Sequence, residues 1–80
     1  KGDFFWRDQY KNEVDVILTG KELVPVEIKY GKIELKGVKG FMKKFKIKKG
    51  IILTLNEENK IKENGFVINV VPAWKWLLSK

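Results

Sequence analysis

The chain has no cysteine and no histidine among its 80 residues, and its single serine, Ser79, stands next to the last residue. These absences remove thiolate nucleophiles, imidazole bases and nearly all zinc sites. They also remove the disulfide staples that small domains often need in oxidising compartments, so a reducing cytoplasm is the expected location. Long apolar runs are missing too. The longest, Phe66 to Pro72, is interrupted by Asn69 and is far below the roughly 20 residues of a membrane span, so no membrane partner is expected. Arginine is almost absent, with Arg7 alone beside sixteen lysines. Lysine attracts phosphate as a point charge without reading base edges, so any nucleic-acid preference should be for backbone or shape.

Carboxylate and lysine are what remain for chemistry, a set that suits a hard, oxygen-loving cation such as Mg²⁺ or Mn²⁺. The net charge of +7 favours an acidic partner, nucleic acid above all, through a salt-sensitive and sequence-independent attraction. Lysine and glutamate enrichment with few Gln, Cys and Met is equally a thermophile signature, in which surface charge serves stability. A chain this short buries only roughly 60 to 65% of the surface its unfolded form exposes, which allows one modest core and one domain, residues 1–80. It opens on Lys1 rather than Met and enters strand-like sequence at Phe4, Phe5 and Trp6, so it reads as a piece of a larger protein.

Phe4 to Arg7 has aromatic, extended character, and the polar stretch around Asp8, Gln9, Lys11 and Asn12 suggests a first hairpin. Glu13 to Leu18 alternates, with Val14, Val16 and Leu18 on one face and Glu13, Asp15 and Ile17 on the other. After Gly20 comes Leu23 to Tyr30, in which Val24, Val26, Ile28 and Tyr30 alternate with Leu23, Pro25, Glu27 and Lys29. Pro25 cannot donate a ladder hydrogen bond and must face an unpaired edge or a bulge. From Ile33 to Lys46 the period changes, with Leu35, Val38, Met42 and Phe45 spaced by three or four, which predicts an amphipathic helix. Gly37 and Gly40 each cost it about 1 kcal/mol relative to Ala and would let it lie close to a sheet. Ile51 to Leu55 fits a strand buried on both faces and therefore central. Lys60 to Glu63 and Phe66 to Val71 flank an Asn64-Gly65 turn signal, and Pro72 at a first helical position introduces a short helix over residues 73–78. Its aromatic residues, Trp74 and Trp76, are expected to close the core. A helix between the third and fourth strands asks for a right-handed crossover and a mixed sheet covered by helices.

If residues 20–22 form a three-residue loop, Asp15 stands across from Glu27 and Glu13 across from Lys29, all on one face. A two-residue loop separates Asp15 from Glu27. Glu27 and Lys29 interrupt an otherwise apolar strand, where unpaired charge is expensive. Two carboxylates a strand apart can hold a divalent cation, and a lysine beside them can stabilise the extra charge of a phosphorane-like transition state. The plain alternative is a wet edge hairpin with a weak cross-strand ion pair.

Lys32, Lys36, Lys39, Lys43 and Lys46 recur at steps of four, three, four and three, a basic ridge beside the helix's apolar arc. Between Lys29 and Lys49 there are nine lysines and only Glu34 against them. Like charges at these spacings repel, which points to a phosphate backbone as partner as much as to a solvated face.

The runs Phe5-Trp6-Arg7-Asp8, Asn12 to Ile17 and Leu23 to Tyr30, with Lys36 to Phe45 and the closing Val71-Pro72-Ala73-Trp74, closely resemble the C-terminal domain of unknown function of archaeal and bacterial AAA-type ATPases. That family is similar to the PD-(D/E)xK enzymes. The resemblance implies an α/β, restriction-endonuclease-like fold with a mixed β-sheet, a crossover helix and a short C-terminal helix. Carried over residue by residue, it implies catalytic roles for Asp15, Glu27 and Lys29, with Asp15 and Glu27 as ligands of Mg²⁺ or Mn²⁺. It departs at Val14, where proline is common, and at Tyr30 and Lys32, where some nuclease branches carry Gln and Tyr. Two functions follow as expectations. One is a nuclease-like domain that binds nucleic acid along Lys32, Lys36, Lys39, Lys43 and Lys46 and hydrolyses phosphodiesters. The other is a non-catalytic interaction or homodimerisation module serving an ATPase domain of the same full-length chain.

Overall fold

The computed structural model describes residues 4–7, 13–19 and 22–78. In chain order these form β1 (Phe4–Arg7), β2 (Glu13–Thr19), β3 (Glu22–Ile28), α1 (Lys36–Phe45), β4 (Lys49–Thr54), β5 (Asn59–Glu63), β6 (Phe66–Pro72) and α2 (Ala73–Leu78). The element order is the one the hydrophobic periodicities predict. The strands make one six-stranded mixed sheet in the order β1-β2-β3-β4-β6-β5. Hairpin pairs β1-β2, β2-β3 and β5-β6 are antiparallel, while β3-β4 and β4-β6 are parallel. Parallel neighbours need a crossover, and α1 supplies it between β3 and β4.

The central place of β4 follows from its sequence. Ile52 is fully buried against α1, and Leu53, pointing the other way, is buried too, so the strand needs no polar alternation. On the α1 side, Ile52 of β4 and Ile68 and Val70 of β6 meet Val38 and Met42 of the helix in the main core, while Val14 and Phe41 form a second cluster beside it. Gly50 lets the helix approach, since a Cβ there would lie 2.6 Å from Val38 Cγ1 and 2.8 Å from Met42 Sδ. Pro25 sits one residue before β3 begins to pair with β4 at Val26, so its missing amide falls where the strand has no partner on that side. The β5-β6 hairpin turns through Asn64 and Gly65, both at positive φ (45° and 85°), as a tight primed turn requires.

Three expectations are corrected. The helix starts at Lys36 rather than Ile33, because Ile33 and Leu35 pack against the core as loop anchors; Lys32 thus precedes the helix. Pro72 ends β6, paired with Thr54, instead of opening the last helix. The last helix does not close the core: none of its described residues is buried, and Trp74, Leu77 and Leu78 are exposed. Six residues are too few turns to lay a full apolar face on the sheet.

Beyond β4, the buried Thr54 hydroxyl organises the descending chain. Its Oγ1 donates to the Glu57 carbonyl at 2.8 Å and accepts from the Glu57 amide at 3.0 Å. Thr54→Val, which keeps the shape and orphans both backbone groups, is expected to cost about 1 to 2 kcal/mol, seen as a lower urea midpoint at unchanged slope. No described helix is long and apolar enough to cross a membrane.

Candidate functional site

The site lies where β3 leaves the sheet beneath the start of α1. In β3, Leu23, Pro25 and Glu27 alternate onto the helix side: Leu23 packs on the Val14-Phe41 cluster, Pro25 lies by Gly50 of β4 and Glu27 by Gly37 of α1. The ladder continues past the strand's end, with the Lys29 amide donating to the Leu53 carbonyl at 2.8 Å. Lys29 is thereby fixed two residues beyond Glu27 on the same side. Its Nζ is 3.1 Å from Glu27 Oε2 and 3.9 Å from Glu34 Oε1. Glu34, from the loop before α1, is a third charged member that strand spacing cannot reveal.

Glu27 is buried, 8% exposed, and the helix explains why. A Cβ at Gly37 would lie 2.6 Å from Glu27 Oε1 and 3.4 Å from Val14 Cγ2, so the missing side chain at Gly37 makes the space the carboxyl group occupies. Leu35 at the N-cap offers no side-chain hydrogen bond, and the first turn of α1 has no acidic residue. The Glu27 carboxyl group from the neighbouring strand is what lies at this positive helix end. Burial pushes its pKa above the usual carboxylate range; the Lys29 ammonium, by hydrogen bond and charge, and the Val38 amide pull the other way without cancelling it, and Glu34 adds to the rise. The Val38 amide favours the charged form, yet Oε1 has no partner of hydrogen-bonding geometry and is left buried and unsatisfied. Such an oxygen is costly.

Asp15 is elsewhere. Thr19 pairs with Glu22, leaving residues 20 and 21 between the strands, and Asp15 pairs with Val26. The register is therefore that of the two-residue connection, not the three-residue one that would bring Asp15 opposite Glu27. Paired residues share a face, so Asp15 lies with Val26 on the side of the sheet away from α1, and Val14 on the helix side with Glu27. β2 and β3 pair from Asp15 to Thr19, and the Glu13 side chain, expected across from Lys29, lies outside the described residues. A one-residue slip moves every side chain to the opposite face.

These residues do not fit a divalent cation as they stand. The unsatisfied Glu27 Oε1 is the kind of atom a metal would occupy, but Asp15 is on the other face, Lys29 already holds Oε2, and a helix N-terminus disfavours a cation. Among the described residues no group of three Asp or Glu side chains gathers as a ligand set.

Of the predicted ridge, Lys36, Lys39 and Lys43 stand on α1. Lys46 is its C-cap residue in the left-handed region (φ 57°, ψ 43°). Lys39 is drawn off the ridge by an ion pair with Glu63 at 2.9 Å. Lys32, Lys36, Lys43 and Lys46 are exposed and, among the described residues, none of the four is in an ion pair.

No curated protein and no solved structure matches the chain. A family model described as a domain of unknown function, DUF4143, matches residues 2–76. That span takes in every strand, the crossover helix and the Glu27-Lys29 pair, and on it the chain belongs to the DUF4143 family.

Proposed function

We propose that this is a nucleic-acid-binding domain on a restriction-endonuclease-like scaffold, acting as a non-catalytic module beside an ATPase domain of the full-length chain. The observation that carries the reading is the set of exposed lysines Lys32, Lys36, Lys43 and Lys46, from just before α1 to its end, none of them in an ion pair among the described residues, in a chain of net charge +7. Like charges in this arrangement cost stability on their own and are relieved by a polyanion. The ATPase neighbour and the scaffold type rest on the sequence resemblance. The binding role rests on the charge.

Binding to a short labelled DNA duplex by fluorescence anisotropy, at several salt concentrations, tests it. The logarithm of the association constant should fall linearly with the logarithm of salt, and a Lys36→Gln, Lys43→Gln, Lys46→Gln variant should flatten that slope by roughly 0.9 per lysine removed from a phosphate. Absence of binding, or binding indifferent to salt and to these lysines, would falsify the reading.

A second reading, phosphodiester hydrolysis with Mg²⁺ or Mn²⁺ by Asp15, Glu27 and Lys29, is favoured by one observation, the unsatisfied Glu27 Oε1. The register opposes it. Calorimetric titration of Mn²⁺ into the chain and into Asp15→Asn and Glu27→Gln variants separates the two. Saturable binding lost in both variants would establish the metal site, and no binding would leave the non-catalytic reading standing.

A further inference from the structure

At the far end of the sheet from Glu27, where α1 ends and β3 and β4 begin, there is a half-open groove of about 560 Å³. Leu23, Phe45 and Ile47 form its apolar lining, Lys46, Lys48 and Lys49 bring three cations to it, and among the described residues Glu22 is the only acidic one in the lining. Phe45 is 44% exposed. Its ring rests against Phe41, with centroids 4.6 Å apart and planes tilted by 44°, and Phe41 is itself buried. The half-exposed ring is thus backed by a ring belonging to the core. Lys44 Nζ lies 6.0 Å from the Phe45 centroid on the helix. Along the chain this gives cations, an aromatic face, then cations again. Among the described residues, none of Lys43, Lys44, Lys46, Lys48 and Lys49 is in an ion pair.

We infer that this groove takes an unpaired base of a single-stranded nucleic acid, stacked on Phe45, with the flanking phosphates on Lys43 and Lys44 on one side and Lys46, Lys48 and Lys49 on the other. The inference rests on the nucleic-acid reading and narrows it to single strands. A duplex keeps its bases stacked on one another and offers the ridge only phosphates, so the apolar lining would go unused. A single strand alternates phosphate and aromatic face, which is the alternation the protein presents. An acidic peptide would satisfy the lysines but supplies no regular aromatic repeat for the ring. Lysine and stacking carry no base code, so the site tolerates any sequence.

The experiment compares a labelled oligothymidine of about twelve nucleotides, within the range of single-strand site sizes, with a duplex of similar charge. Both are titrated with the 80-residue chain and its variants at low salt. Phe45→Leu keeps an apolar side chain against Phe41 and removes the stacking face, and Phe45→Trp restores one. The expected result is a roughly 5- to 100-fold loss of single-strand affinity in Phe45→Leu, recovery in Phe45→Trp, and unchanged duplex binding in both. Single-strand binding that is indifferent to Phe45→Leu but falls in the lysine variant overturns the groove and leaves the nucleic-acid reading intact. Displacement of the single strand by polyglutamate as effectively, charge for charge, as by unlabelled oligothymidine overturns it in favour of an acidic polypeptide. Failure of both nucleic acids to bind overturns the groove together with the reading it rests on.

Discussion

Ile52→Ala is expected to remove a large share of the domain's stability. Ile52 is fully buried at the middle of the central strand, in the main core cluster with Val38, Met42, Ile68 and Val70. Removing its branched side chain forfeits the transfer free energy and leaves a cavity that stiff neighbours cannot close, a cost of about 3 to 4 kcal/mol. A chain of 80 residues has a total stability of only roughly 4 to 12 kcal/mol, and each ~1 kcal/mol lowers the melting temperature of so small a domain by about 4 to 8 °C. Thermal unfolding followed by circular dichroism should show a fall of well over 10 °C, against a few degrees for Ile52→Val. A loss in Ile52→Ala no larger than in Ile52→Val would mean that the core is not centred on β4.

The opposite sign is expected at Glu27. Burial raises its pKa in the folded chain above the usual carboxylate value of 4.5, so between that value and the raised one the folded state binds more protons than the unfolded. Stability contributed by this group is complete below the ordinary carboxylate range and is lost as the pH climbs through the folded-state pKa. Glu27→Gln keeps the size and removes the charge. At neutral pH it should be more stable than the parent, because the raised pKa shows that burial outweighs the Lys29 pair, and at acid pH the two should converge. The partner left behind is not stranded: the Lys29 side chain is 31% exposed and has Glu34 within 3.9 Å. Denaturant titrations at acid and neutral pH measure both ends of the window. A variant less stable than the parent at neutral pH would show that the Lys29 pair outweighs the burial. A carboxylate kept where a neutral group fits better marks a position held for something other than folding, and a variant that gains stability while losing a function would locate that function here.

Most of the fold was legible because it is written in periods. Alternation marked β2 and β3, apolar runs marked the central β4 and also β6, three-four spacing marked α1, and Asn64-Gly65 marked the last hairpin. Only boundaries moved, where tertiary contacts act: Ile33 and Leu35 satisfy a helical spacing equally well as loop residues pressed on the core. The site was half legible. Glu27 and Lys29 share a face because they lie two apart on one strand, whatever surrounds them. Asp15 belongs to another strand, and its place depends on whether Glu22 turns or pairs, a difference that Gly20-Lys21-Glu22 does not encode in residue type. Gly37 lies close to the sheet as its lack of a side chain suggests, whereas a Cβ at Gly40 would meet nothing within 4 Å; Glu34, and the fact that Gly37 makes room for a carboxyl group, escaped because both come from the crossover, which brings residues seven and ten positions further on back over Glu27. The terminal helix was misjudged on composition. Tryptophan and leucine suggest a core, but six residues make too few turns to bury any of them fully.

The two margins of the sheet are chemically unlike. β5 presents Asn59, Lys60, Lys62 and Glu63, all exposed, and a strand arriving there from another polypeptide meets lysines that repel its own copy and hold water about the unpaired amides. β1 at the other margin is built on Phe4-Phe5-Trp6-Arg7, three aromatic residues and one cation, the composition that favours a pleated neighbour. The sheet's margins thus differ in kind: charge opposes extension at β5, while the composition of β1 suits a pleated neighbour.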